Sequence, residues 1–243
     1  MKIAYAFRRS TVYPFVNNGY GAWVLPSEPA LTSFFRKVRG VGYDGIELGY
    51  EAGDFRLFGS YTDGFNSKLA VLRGIEHFSA LREAVGDEVE IIFEVHTRLT
   101  PTRAIELCKA IEDLRPFFVE DPIRSENPGS FAILRSQTAV PIGTGEQLHH
   151  KWAYRELIEQ ELIDYLRVDI CHTGGITEGK KLAAMAEVHY QELACHYTSS
   201  PVSTAAMLHL NMSIPNCAVQ EYAPATGWMN DVIHHHLQTK DGH

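Results

Sequence analysis

The stretch VEIIFEVHTRLTPTRAIELCKAIEDL, residues 89–114, joins a short apolar run to an amphipathic segment. Thr100 followed by Pro101 is the pattern of an N-cap and a first helical position, and apolar residues then recur at helical spacing. The stretch therefore predicts one strand followed by one helix. Glu94 and His96 lie at the end of the predicted strand, and residues i and i+2 of a strand point to the same side. We therefore expect both ionisable groups to face the same surroundings.

The same alternation of apolar runs and amphipathic segments continues along the chain and favours a parallel sheet. The candidate strands are KIAYAF, DGIELGY, VEIIFEVH, FFVEDP, VPIGTGE, DYLRVDI, ELACHY and AVQEY. Eight strands with about seven crossover helices predict a closed α/β barrel of the (β/α)8 type, in the (β/α)7β form. A chain of 243 residues has the length of one such barrel, so residues 1–243 are predicted to form a single TIM-barrel domain.

The composition excludes several classes of partner. Hydrophobic residues make up 45% of the chain and charged residues 21%, and the net charge is −8 with scattered Lys and Arg. We therefore expect neither nucleic acid nor an anionic membrane as a partner. No apolar run approaches the roughly 20 residues that a membrane span needs. The N-terminus does not resemble a signal peptide, and the four cysteines lack CxxC pairing, which predicts a cytoplasmic protein with reduced thiols.

Ionisable residues recur at the ends of the later strands. They are separated by 23 to 27 residues and comprise Glu94, Glu120, Glu146, Asp169, His196 and Glu221. Closure of a barrel would bring all of them to its C-terminal mouth, where the active sites of such barrels lie. Three buried carboxylates would be very costly without a cation. Because Mg²⁺ prefers carboxylate oxygens, we predict Glu94, Glu120 and Glu146 as its ligands.

The histidines at the same mouth predict proton transfer. A bound Mg²⁺ would stabilise the enediolate that forms when a proton leaves the carbon next to a carboxylate. We predict that His196 is the base and that Asp169 orients its ring. His96 would protonate a departing hydroxyl from another side. A structural role is the alternative for a single histidine on a strand.

Six motifs also resemble a known family. EVHTRLTP, FFVEDPI, PIGTGEQ, RVDICHTGGIT, LACHYTSSP and AVQEY look like the successive barrel motifs of the enolase superfamily. They are most similar to the acid-sugar dehydratases of the mandelate racemase type, such as galactonate, gluconate and mannonate dehydratases. The similarity runs from about residue 65 to 235, and residues 58–235 are assigned to the enolase-type barrel.

The resemblance implies a function and a role for each site residue. Glu94, Glu120 and Glu146 match the metal ligands, and His96 matches the acid that acts on the leaving hydroxyl. His196 with Asp169 matches the base dyad. Glu221 matches the glutamate that helps to hold the substrate carboxylate or its enediolate. The implied enzyme is a hydro-lyase that eliminates water from a small sugar acid to give a 2-keto-3-deoxy acid. Assembly into a homo-oligomer stays open.

The sequence departs from the family in several places. Glu94 stands where many members have Asp, and Glu47 stands where racemases carry a lysine base. We also expect the α+β capping domain of the family to be missing, which would impair turnover. Residues 1–57, with MKIAYAFRR and VRGVGYDGIELGY, resemble a xylose-isomerase-type barrel instead. Two alternatives therefore stay open: a metal-dependent sugar isomerase or epimerase with Glu47 near the metal, and a metal-binding barrel with little activity.

Overall fold

Strands and helices alternate in the computed structural model, which describes residues 2–7, 36, 45–49, 68–197, 200–222 and 231. The strands are β1 (Lys2–Phe7), β2 (Gly45–Gly49), β3 (Glu90–Glu94), β4 (Phe118–Glu120), β5 (Ile142–Thr144), β6 (Tyr165–Leu166), β7 (Glu192–Cys195) and β8 (Cys217–Tyr222). The helices with described bounds are α1 (Lys68–Val85), α2 (Pro101–Ile111), α3 (Pro128–Arg135), α4 (His150–Glu159), α5 (Ile170–Thr173), α6 (Ile176–Glu187) and α7 (Pro201–Met212).

The strands form one closed parallel barrel in chain order, and β8 pairs with β1 to complete it. Neighbouring parallel strands require a crossover connection, and each connection between β2 and β8 contains a helix. The predicted α/β barrel is therefore confirmed. The crossover from β1 to β2 lies outside the described residues except for Arg36.

The unit from β3 to α2 illustrates how the sequence builds the barrel. Thr100 is the N-cap of α2 by its extended backbone, without a side-chain capping hydrogen bond, and Pro101 opens the helix. The buried residues of α2 recur at helical spacing and form one apolar face: Ala104, Leu107, Cys108 and Ile111. This confirms the strand and helix predicted from residues 89–114.

Several strands end earlier than the sequence predicts. β3 stops at Glu94, so His96 lies beyond the strand, and β7 stops at Cys195, immediately before His196. Backbone hydrogen bonds nevertheless continue past the strand ends, from Val95 N to Glu120 O at 2.9 Å and from His196 N to Val168 O at 3.1 Å. The residues that follow the strands are therefore held at one level although they leave the regular ladder.

Alternation along the strands separates two faces. Phe93 faces the helices, where its ring stacks on Phe78 of α1 at 5.2 Å. The opposite face carries a separate apolar cluster of Ile92, Phe118, Ala194 and Val219, with Tyr165 packed against it. Two residues further along the chain from these five lie Glu94, Glu120, His196, Glu221 and Arg167. The barrel interior therefore has an apolar layer with a charged layer above it, towards the C-terminal mouth.

Gly143 of β5 is required by this inner packing. A Cβ atom there would lie 2.7 Å from Cδ2 of Phe118, whose ring belongs to the inner apolar cluster. We expect Gly143→Ala to lower the free energy of unfolding by about 1–3 kcal/mol, since overpacking a filled interior forces neighbours to shift. Gly129→Ala is the control, because its Cβ would meet only Oδ1 of Asn127 at 3.3 Å. Urea denaturation measures both, and equal stabilities would contradict the expected clash.

Some predictions fall outside the described part of the chain. Glu47 lies in β2, but its side chain is not described, so its predicted position near a metal stays a prediction. The division of the chain at residue 57 stays a prediction as well. None of the helices in the described ranges is long and apolar enough to cross a membrane.

Candidate active site

Glu94 and His96 come together at the end of β3 by a route that differs from the prediction. His96 has a positive φ of 55° and Thr97 one of 63°, so the strand alternation stops at Glu94. Nδ1 of His96 still lies 3.8 Å from Oε2 of Glu94, and the His96 amide donates to the same carboxylate. The two side chains are close, as expected. A left-handed turn after the strand brings them together, instead of a shared face of the strand.

Glu120 and Asp121 occupy the end of β4. Glu120 is the register partner of Glu94 and is fully buried. Asp121 follows with a φ of 40°, and its amide donates to Gly143 O at 2.8 Å. The hydroxyl of Thr144 donates to Oδ1 of Asp121. Burial, and then the nearby Glu146, raise the pKa of Asp121 to about 6.

Glu146 lies between two histidines. Its Oε1 is 3.5 Å from Nδ1 of His96, and its Oε2 is 3.3 Å from Nε2 of His196. Glu146 follows Gly145, whose φ is 135° and whose added Cβ would lie 2.5 Å from the ring of Tyr154. This glycine lets the chain leave β5 closely packed and turn the next side chain into the mouth.

His196 and Asp169 form a hydrogen-bonded pair. Nδ1 of His196 lies 2.8 Å from Oδ2 of Asp169, while Oδ1 accepts from the Cys171 amide at 2.7 Å. Burial alone would lower the pKa of His196, but the bond to Asp169 and the nearby Glu221 and Glu146 outweigh it and raise that pKa. Burial opposes ionisation of Asp169, yet its hydrogen bonds lower its pKa. Asp169 is the N-cap of α5, beyond the sixth strand on which the sequence placed it.

Glu221 is part of β8, as predicted, and is buried. Its Oε2 accepts from Nη2 of Arg167 at 2.6 Å and from the Tyr197 amide at 2.8 Å. Neither Arg167 nor Asp121 was singled out from the sequence. The available signal was spacing, since Arg167 lies two residues before Asp169 and Asp121 directly follows Glu120.

The predicted ligands are divided between two overlapping groups. Within the described residues, side-chain atoms able to bind one ion lie within 4.8 Å of one another in the group Glu94, His96 and Glu146, and in the group Glu94, Glu120 and Asp121. Glu94 belongs to both groups, whereas Glu120 and Glu146 fall into different ones. Two oxygens on one Mg²⁺ lie at most about 4.2 Å apart. Either set is therefore close to the spacing that one such ion requires.

The charge of the mouth fits a divalent cation. Within the described part of the chain, six carboxylates are buried: Glu94, Glu120, Asp121, Glu146, Asp169 and Glu221. Of the lysines and arginines that the structure describes, only Arg167 is buried. Oδ2 of Asp121 is also buried, and no described residue donates a hydrogen bond to it. Such an excess of buried negative charge is costly, and an all-carboxylate set suits a hard ion such as Mg²⁺.

Curated proteins with similar sequences are dehydratases by name. A D-mannonate dehydratase from Caulobacter sp. (strain K31) is 37% identical over 227 residues, which cover 92% of this chain and 54% of the relative. A D-mannonate dehydratase from Caulobacter vibrioides is 42% identical over 167 residues, covering 68% of this chain and 41% of the relative. The chain thus spans about half the length of these curated relatives.

A solved structure is similar over nearly the whole chain. An enolase from Pantoea ananatis with bound D-gluconate and Mg superposes with a TM-score of 0.80 at 27% identity, covering 99% of this chain and 61% of that one. Residues 39–243 match the family described as enolase C-terminal domain-like. This match includes every strand from β2 to β8 and all the residues of the charged mouth. The chain belongs to the enolase C-terminal domain-like family.

Proposed function

We propose that this chain carries the catalytic barrel of a Mg²⁺-dependent sugar-acid dehydratase, a hydro-lyase that converts an aldonate to a 2-keto-3-deoxy acid. The observation that carries the proposal is the pair of histidines that face the two oxygens of Glu146. Elimination of water needs one group to take a proton and another to give one, and two separate histidines beside a carboxylate cluster suit these tasks. The dehydratase names of the relatives support the same reaction class.

His196 is assigned the removal of the α-proton. Its Nδ1 is bonded to Asp169 at 2.8 Å, which places the ring proton on that nitrogen and leaves the lone pair of Nε2 to act as base. Asp169 is itself held by the Cys171 amide, so the ring has little freedom to turn. Nε2 is the nitrogen that faces Glu146 and the carboxylate cluster.

His96 is assigned the protonation of the leaving hydroxyl. The electron pair of the α C–H bond is first left in an enediolate when His196 takes the proton. That pair then forms the new double bond as the C–O bond at the β-carbon breaks, and the departing hydroxide takes a proton from His96 and leaves as water. The side chain of His96 is 37% exposed and that of His196 only 12%. His96 can therefore regain its proton from solvent. The enol product then tautomerises to the 2-keto-3-deoxy acid.

Glu94, Glu120 and Glu146 are assigned to hold Mg²⁺. When bound, this ion would supply positive charge beside the substrate carboxylate and stabilise the negative charge that develops as the α-proton leaves. Glu221 is assigned to hold the substrate carboxylate, since it can accept a hydrogen bond from a protonated oxygen of the enol form. Arg167 and the Tyr197 amide fix Glu221 for this purpose.

Glu94 is expected to be the most sensitive ligand, because it belongs to both groups of candidate donors. Glu94→Gln should weaken Mg²⁺ binding by roughly 100-fold or more, since loss of even an indirect partner of a metal site costs about 10- to 100-fold. Calorimetric titration with MgCl₂ measures the change. Glu178→Gln is the control. Glu178 lies on helix α6 outside the cluster and pairs with Lys151 of helix α4. Equal affinities in the two variants would remove Glu94 from the ligand set.

The proposed reaction is tested directly with the purified chain. Mannonate, galactonate and gluconate are each incubated with the protein and MgCl₂, and 2-keto-3-deoxy acids are assayed. Product that requires Mg²⁺ and disappears in His196→Asn supports the proposal. Aldose–ketose conversion instead would favour the sugar isomerase, and stabilisation by Mg²⁺ without any product would favour a metal-binding barrel.

A further inference from the structure

Arg167 occupies the centre of the charged layer. It follows β6, and its side chain is only about 1% exposed. Nε donates to Oε1 of Glu120 on β4, and Nη2 donates to Oε2 of Glu221 on β8 at 2.6 Å. Nη1 donates to the carbonyl of Ala194 on β7 at 2.8 Å. One guanidinium therefore connects the end of β6 with three other strands.

Arg167 lies next to the candidate metal ligands, which indicates a role in compensating their charge as well as in packing. Glu120 is both a partner of Arg167 and a member of the group with Glu94 and Asp121. Each of these residues is buried, and Arg167 is the only buried Lys or Arg in the described ranges. A guanidinium presents several donors in a fixed plane and stays charged at any ordinary pH. Among the described residues it is therefore the buried, permanently charged cation that contacts this cluster.

We propose that Arg167 is a positioning residue that serves as an internal counter-cation, holding Glu120 and Glu221 in place so that the acidic mouth stays folded without metal. Arg167 and Mg²⁺ then share the compensation of the same carboxylates. The inference rests on the proposed metal site and does not need the dehydration reaction, so failure to detect a 2-keto-3-deoxy product would leave it standing.

Removal of this charge has a specific expected consequence. Arg167→Met keeps an apolar stem but removes the charge, which leaves buried carboxylates without their partner. Breaking a buried ion pair is strongly destabilising, and for a chain of this size the Tm should fall on the order of 10 °C. MgCl₂ should then raise the Tm of Arg167→Met by more than it raises that of the wild type, because the added ion replaces the lost charge.

Two further variants separate charge from packing. Arg167→Lys keeps the charge but lacks the planar guanidinium that donates to both Glu120 and Glu221. Its Mg²⁺-induced rise in Tm should equal that of the wild type. Arg135→Met removes another arginine that donates two hydrogen bonds to a carboxylate. Arg135 donates to Asp164 at 2.8 and 2.7 Å at the opposite end of β6. It should lower the Tm and leave the Mg²⁺-induced rise unchanged. A rise in Arg167→Met equal to or smaller than that of the wild type would overturn the proposal.

A double variant tests the pair without metal. Arg167→Met combined with Glu221→Gln removes one carboxylate together with its cation, so it should be more stable than Arg167→Met alone. This comparison also decides the case in which Arg167→Met does not fold. A double variant no more stable than the single one would show that charge compensation is not the role of Arg167. A wild type without any response to Mg²⁺ would contradict the metal site, whereas the double variant still tests Arg167.

Discussion

His196→Asn is expected to abolish exchange of the α-proton and to lower kcat for dehydration by roughly 10²- to 10⁴-fold, the usual contribution of a positioned base. The reason is that Nε2 of His196 would be the only group of the Asp169 pair able to accept a proton from the substrate. Exchange is measured by loss of the α-proton signal in D₂O, and dehydration by formation of the keto acid. Mg²⁺ binding should persist, since Glu94, Glu120 and Glu146 are unchanged.

The control for this variant is His189→Asn, the same replacement at the opposite end of the barrel. His189 lies between α6 and β7 and contacts Glu161 at 3.2 Å, far in the fold from the C-terminal mouth. It should keep both exchange and dehydration. Exchange that survives in His196→Asn at the wild-type rate would show that another group removes the α-proton.

His96→Asn is expected to separate the two halves of the reaction. Dehydration should fall by roughly 10²- to 10⁴-fold, because the leaving hydroxide would lack its proton donor. The base pair of His196 and Asp169 remains, so α-proton exchange with D₂O should continue at a comparable rate. The two assays applied to one sample distinguish these steps.

The pattern across both histidine variants is the informative result. Loss of both activities in His196→Asn, with loss of dehydration alone in His96→Asn, assigns the base and the acid to different nitrogen atoms. If His96→Asn also lost exchange, His96 would be needed before the C–O bond breaks, and the assignment of roles would be wrong. A reduced Mg²⁺ affinity in His96→Asn would instead point to His96 as a ligand, consistent with its place in one of the two groups.

The spacing of the ionisable residues predicts that they lie at one end of the barrel. Parallel strands joined by helices repeat at a nearly constant interval, so residues spaced 23 to 27 apart recur at the same level of the barrel. His196 lies beside Asp169, and Glu146 lies beside both histidines, whereas Glu120 and Glu146 fall into different candidate donor groups. Their assigned chemical roles remain predictions that the variants above test.

Local backbone conformation was harder to predict. The left-handed residues after β3 and β4, namely His96, Thr97 and Asp121, end the alternation that the apolar pattern favours. Non-glycine residues rarely adopt a positive φ, and surrounding hydrogen bonds stabilise it here, such as that from Thr97 N to Asp121 O at 2.7 Å. Such bonds depend on the neighbouring strand, which a local pattern does not contain.

The sequence by itself determined the barrel, the order of its strands and the level at which the charged residues lie, because periodicity is a local property that repeats along the chain. Only the tertiary structure decided which charges touch. Glu120 is shared between Arg167 and the candidate metal cluster, and Glu94 belongs to two donor groups. These pairings follow from the register between strands and from side-chain reach across the interior. Distance in space therefore fixes how the buried charge is compensated, and separation along the chain does not.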